Sequence, residues 1–136
     1  MAQFSFSSLP SVPGSLMPRL SLELSSGSRT VQVNGVIDTG APINVLPYAV
    51  GLALGAVWEA QAPLGTLAGA LADVESRALA ATASQRLVAE ASNVPLWFAW
   101  AESDSVPVLF GQTNFFMEFN VCFYRSQNYF EVWRRD

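Results

Sequence analysis

A chain of 136 residues is about one ordinary domain, and 51% hydrophobic with 12% aromatic residues is enough apolar material for a real core; disorder is excluded. A net charge of −4, with basic residues scattered apart from Arg134 and Arg135, gives no electrostatic case for nucleic acid or an anionic membrane as partner. The absence of histidine excludes Ser–His and Cys–His catalysis and His-ligated metals, and the single cysteine, Cys122, excludes an intrachain disulfide. Any chemistry must come from carboxylates, hydroxyls or backbone, and no cofactor or metal is expected.

Residues 1–17 carry Ser7-Ser8-Leu9-Pro10 and Val12-Pro13-Gly14 and read as a flexible N-terminal arm ahead of a domain spanning residues 18–136. Met1 to Leu20 lacks a basic start followed by an apolar run and does not read as a signal peptide. No uninterrupted apolar segment is long enough to span a bilayer, so cytoplasmic residence is the expectation. Leu20-Ser21-Leu22-Glu23-Leu24 alternates apolar and polar residues, the mark of a strand with one buried face. A turn at Ser25 to Ser28 and a second strand from Val31-Gln32-Val33 make a hairpin. Asn34-Gly35 signals a tight turn or bulge. Val36-Ile37 lead into Asp38-Thr39-Gly40-Ala41. Val45-Leu46-Pro47 is a short strand, and Tyr48 to Leu54 is one or two helical turns stopped by Gly55.

Residues 67–91 admit two readings. They are Ala-rich, with Leu67, Leu71, Val74 and Ala78 at helical spacing, and propensity favours helix. Gly65 and Gly69 interrupt the start, and Thr82, Ser84 and Ser92 are weak helix formers. Beyond them, Val94 to Trp100 is a strand with large side chains, Glu102 to Ser105 a polar turn, and Val106 to Phe110 a strand closed by Gly111. Asn114 to Phe119 suits a short helix, and Val121 to Tyr124 with Tyr129 to Trp133 a hairpin around Ser126-Gln127-Asn128. No internal repeat is visible. Trp97, Phe98 and Trp100 read as core or dimer contact, and Phe115, Phe116 and Phe119 as core. Cys122, between Val121 and Phe123, reads as packing. Asp73, Glu75, Glu102 and Asp104 read as solvated charges.

Asp38-Thr39-Gly40 places a carboxylate at a strand end, on a tight turn opened by glycine. Alone, an aspartate before glycine is usually a turn former. Here, however, Val36-Ile37-Asp38-Thr39-Gly40-Ala41 with Val45-Leu46, and then Val108-Leu109-Phe110-Gly111 ahead of a helix, resemble the two signatures of retropepsins, the retroviral-type aspartic proteases. The nearest likeness is to bacterial single-domain members, and it covers residues 18–135. The resemblance implies an all-β fold, a closed β-barrel with one short C-terminal helix, and aspartic endopeptidase activity on extended polypeptides.

The chain has one such loop, so the resemblance implies a homodimer. Two Asp38 carboxylates facing each other cannot both ionise comfortably; they share a proton, as is general for aspartic proteases, and one acts as base while the other acts as acid. Thr39 is implied to reach across the interface, Gly40 to let the backbone approach the reacting groups, and Ala41 to leave room for substrate. Val108, Leu109, Phe110 and Gly111 are implied to pack beneath the loop and border the substrate. A flap is implied near Gly65 to Ala72, with Leu67, Ala68, Gly69 and Ala70 over the substrate, and this favours strands in the Ala-rich middle. Gln112 stands where retroviral members often carry Arg, which leaves the ion pair of that Arg without a counterpart, and the termini need not form those members' intersubunit sheet. Two rivals remain: a catalytically silent module of the same fold that binds peptides or dimerises, and a monomeric β-barrel holding a small apolar ligand.

Overall fold

The computed structural model describes residues 2–9, 14–67 and 69–136. In chain order the elements are β1 (Ala2–Ser5), β2 (Arg19–Ser26), β3 (Arg29–Ile37), β4 (Asn44–Leu46), α1 (Tyr48–Ala53), β5 (Pro63–Thr66), β6 (Glu75–Ser84), β7 (Val94–Ala101), β8 (Leu109–Phe110), α2 (Phe115–Glu118), β9 (Phe119–Tyr124) and β10 (Tyr129–Arg134). The fold is mostly β. One sheet has the order β2-β3-β8-β4-β7-β6-β5, and β2 also pairs with β6, so the strands from β2 to β6 follow one another around a ring. A second sheet has the order β1-β10-β9.

The β2–β3 hairpin forms for the reason its alternation predicts. Leu20, Leu22 and Leu24 point inward and are fully buried, while Ser21 and Glu23 face out. The interior they help to fill also holds Leu46, Phe98, Trp100, Phe110, Phe115 and Phe130. Trp100 stacks on Tyr48 and meets Trp58 edge-on, and its indole Nε1 donates to the Tyr48 carbonyl at 3.0 Å. That contact seats α1. Gly51 is required there, because a Cβ would lie 2.1 Å from the Trp100 ring.

The Ala-rich middle is a strand. β6 pairs with β7 from Ser76↔Ala101 to Ala83↔Val94, and its far end pairs with β2. Alanine's helix preference is worth only about 0.7 kcal/mol per residue over ordinary residues, less than ladder bonds and burial supply when both neighbours are in place. Leu79, Ala81 and Ala83 alternate inward as a strand requires.

Several expectations need correcting. The first residues are not a loose arm: Ala2–Ser5 pair with Tyr129–Val132, and Phe6 is buried against Phe130. Pro10 to Pro13 lie outside the described residues. Asn34-Gly35 is no turn but continues β3, where Gly35 makes room for the Phe110 ring; a Cβ would sit 2.6 Å from it. The strand expected over Val106 to Phe110 is confined to Leu109–Phe110, since Pro107 has no N–H to give a ladder. Besides the short C-terminal helix, the helical turns expected over Tyr48 to Leu54 form α1. Trp97 is exposed, which removes the core reading and leaves that of a dimer contact, and Cys122 is half-buried rather than core. Asp104 is not merely solvated: its Oδ1 accepts the Ala49 N–H at the start of α1 at 2.7 Å. Among the described residues, no helix is long and apolar enough to cross a membrane.

Candidate active site

β3 delivers Asp38 to the site. Val36 and Ile37 pair in parallel with Leu109 and Phe110 of β8, and the Asp38 N–H extends the ladder by donating to the Phe110 carbonyl at 2.9 Å. The chain then turns sharply. The Gly40 N–H donates to Asp38 Oδ1 at 2.9 Å and the Ala41 N–H to the Asp38 carbonyl at 3.2 Å. An aspartate side chain that bonds the backbone two residues ahead fixes its own direction. Asp38 is half-buried, while Thr39 and Gly40 are exposed.

The loop lies on the segment after β8, rung by rung. Gln112 N–H donates to the Ala41 carbonyl at 2.9 Å, Thr113 N–H to Pro42 at 3.0 Å, and Asn44 N–H to Thr113 at 2.8 Å. The Gln112 side chain donates to the Thr39 carbonyl at 2.8 Å. At this position, where retroviral members often carry Arg, the chain therefore bonds the loop backbone with a neutral amide. Gly111 permits the stacking, because a Cβ there would be 2.6 Å from the Ala41 carbonyl oxygen and 2.8 Å from that of Ile43.

Asp38 borders a cleft of about 490 Å³. Its other walls are apolar for the most part: Ile43, Val45, Leu64, Leu71, Ala99 and Leu109. Its roof is the β5–β6 hairpin, where Thr66 pairs with Glu75 and the Leu67 N–H donates to the Val74 carbonyl at 2.9 Å. A short turn at Gly69–Leu71 makes the tip. β5 is exposed along its length and lies at the edge of its sheet. Ser76 is buried and its Oγ donates to the Gly65 carbonyl at 3.0 Å, while Arg77 donates to the carbonyls of Trp58 and Gln61 and lies over the Trp58 ring. These bonds hold the base of the hairpin.

The expected site residues divide accordingly. Asp38, Gly40, Ala41, Leu67, Gly69 and Leu109 line the cleft. Ala68 lies outside the described residues, and nothing is described of the Ala70 side chain. Thr39 sits at the exposed crest of the loop. Val108, Phe110 and Gly111 do not border the cleft: the Val108 carbonyl accepts the Val36 N–H, Phe110 is in the core against Phe115, and Gly111 lies beneath Ala41. They support the loop rather than meet a ligand, because β8 turns only Leu109 toward the cleft. Asn44, Ser76 and Arg77 escape sequence reasoning. A polar residue between Ile43 and Val45 was the one available signal for Asn44.

Away from the cleft, Glu118 is buried at the end of α2. Arg134 meets it at 3.1 Å and Arg135 at 3.2 Å. Hydrogen bonding from Arg135, then Arg134, holds the Glu118 carboxyl below the usual range against the opposing effect of burial.

No protein-family model and no curated protein matches this sequence. Among solved structures, EIAV protease complexed with the inhibitor HBY-793 superposes with a TM-score of 0.55 at 17% identity, over 74% of this chain and 86% of that one. The chain has a retropepsin-like fold. At that identity the likeness speaks to fold alone.

Proposed function

We propose that the chain is one half of a homodimeric aspartic endopeptidase. The observation that carries this reading is the placement of Asp38: a half-buried carboxylate, aimed by its own turn, at the wall of an apolar cleft roofed by a hairpin. The exposure of Thr39 and Gly40 supports a partner, since the crest of the loop is free to meet the same crest of a second copy across a two-fold axis. In that assembly the ring of strands acts as a closed barrel that holds the loop rigid, and the β5–β6 hairpin acts as a flap.

The chemistry follows from two like carboxyls in one site. With one proton between them, the charged Asp38 takes a proton from a water whose oxygen attacks the peptide carbonyl carbon. The protonated Asp38 hydrogen-bonds the developing oxyanion, and a proton is then passed to the leaving nitrogen as the C–N bond breaks. The substrate is an extended polypeptide with apolar side chains near the cut, since the walls offer no charge other than Asp38 among the described residues. A cytoplasmic setting suits a chain with one cysteine and no disulfide. The test is Asp38→Asn on a peptide library. Loss of all cleavage with an unchanged fold is expected, and cleavage that survives the change would exclude the mechanism. A dimer that binds peptides and cuts none would instead support the silent module.

A further inference from the structure

Asn44 stands out among the polar residues. Its side chain is fully buried. Its Oδ1 accepts the Gly111 N–H at 2.8 Å and the Phe115 N–H at 3.4 Å, and its Nδ2 donates to the Trp97 carbonyl at 2.9 Å and to Asn114 Oδ1 at 3.2 Å. Asn114 in turn accepts the Trp97 N–H and donates to the Pro95 carbonyl, each at 2.9 Å. An amide has two donors and an oxygen with two lone pairs, so this cage uses all of them. An aspartate lacks the donors, and a leucine of similar shape lacks everything.

The pair joins four segments: β4, β7, the start of α2, and the turn after β8. The last of these matters for chemistry. Gly111 follows Phe110, whose carbonyl receives the Asp38 N–H, and Gly111 underlies Ala41. Holding Gly111 therefore holds both ends of the loop that aims Asp38. We infer that Asn44, backed by Asn114, is a positioning residue for the Asp38 loop, acting through Gly111 rather than by touching substrate. Asn44 is not among the residues that line the cleft. Its function is geometric: reacting groups misplaced by about 1 Å can cost on the order of a hundredfold in rate.

The inference rests on the proposed peptidase reading, so its test carries a readout that needs no activity. Asn44→Thr and Asn44→Val have the same shape and strand preference and differ in one hydroxyl. Amide hydrogen exchange is followed at Gly111, Asp38 and Gly40, with β2 and β3 as internal reference, together with kcat and KM for any peptide the native dimer cleaves. The Val variant is expected to lose protection at those three amides while the reference strands keep theirs, and to lose about tenfold or more in kcat with KM nearly unchanged. The Thr variant is expected to recover part of both. If Val does not fold, Asn114→Ser, which leaves Asn44 in place but removes one of its partners, is expected to show the same pattern in weaker form. Unchanged loop protection, or protection lost uniformly across the chain, would overturn the inference. A native protein without activity would sink the peptidase reading and leave the exchange pattern to decide this one.

Discussion

Gly111→Ala is the sharpest structural test of how the loop is held. The added Cβ would lie 2.6 Å from the Ala41 carbonyl oxygen, 2.8 Å from that of Ile43 and 3.0 Å from the Ala41 Cβ. The two oxygens are backbone, and the third atom is fixed to backbone, so no side chain can swing aside. Restoring an ordinary contact near 3.4 Å requires the two segments to part by about 0.8 Å. That stretches the Gln112-to-Ala41 rung from 2.9 Å and the Gly111-to-Asn44 bond from 2.8 Å toward breaking. Overpacking of this kind costs about 2 kcal/mol. For a domain of this size that lowers the thermal midpoint by roughly 6–10 °C. The displaced segment carries Asp38, so peptide cleavage should fall by about a hundredfold even where the protein is still folded. Thermal denaturation and a cleavage assay run well below the midpoint separate the two effects. A variant as stable and as active as the native protein would refute the close stacking of loop on turn.

Gly40→Ala should behave in the opposite way. The nearest atom to its Cβ is Asp38 Oδ1 at 3.3 Å, a tight contact with a side-chain oxygen that can shift by a few tenths of an ångström, so the stability of one chain should change by no more than about 1 kcal/mol. If a partner or substrate packs on that crest, cleavage or dimer affinity should fall about tenfold or more, measured by sedimentation and kinetics; no change in either would argue against a partner there. Glu118 should make stability depend on pH. Its folded carboxyl titrates below the ordinary value of 4.5, so its contribution is complete above that value and is lost as pH falls through the depressed one. Denaturation midpoints should therefore drop on acidification below about pH 4.5. Glu118→Gln should cost about 1–2 kcal/mol near neutrality and flatten that part of the profile; a profile of unchanged steepness would contradict the role.

Much of this was legible in the sequence because it is local. The alternation from Leu20 to Leu24 names its own buried face, Gly55 ends α1 at a positive φ, and Asp38-Thr39-Gly40 after two β-branched residues marks the carboxylate. What was not legible depends on partners far along the chain. β1 has four residues, and although Ala2-Gln3-Phe4-Ser5-Phe6 alternates apolar and polar, so short a run is held as a strand because β10 lies beside it and Phe130 receives Phe4 and Phe6. The Ala-rich β6 carries a helical spacing that pairing on both sides overrides. Phe110 and Gly111 look like site residues by position, yet one fills the core and the other a gap too small for a methyl group. Asn44 shows in the sequence only as a polar residue between Ile43 and Val45, and its role is legible only once Gly111, Trp97 and Asn114 are known to surround it.

The most direct measurement mixes native chains with Asp38→Asn chains at concentrations where dimers form and exchange. If each site takes one aspartate from each of two subunits, activity per native chain should fall to about half at an equal mixture and about a tenth at a ninefold excess of the variant, following the fraction of native chains that pair with one another. Activity per native chain that stays constant at every ratio would mean that one chain cuts alone, and the shared-carboxylate site would not exist.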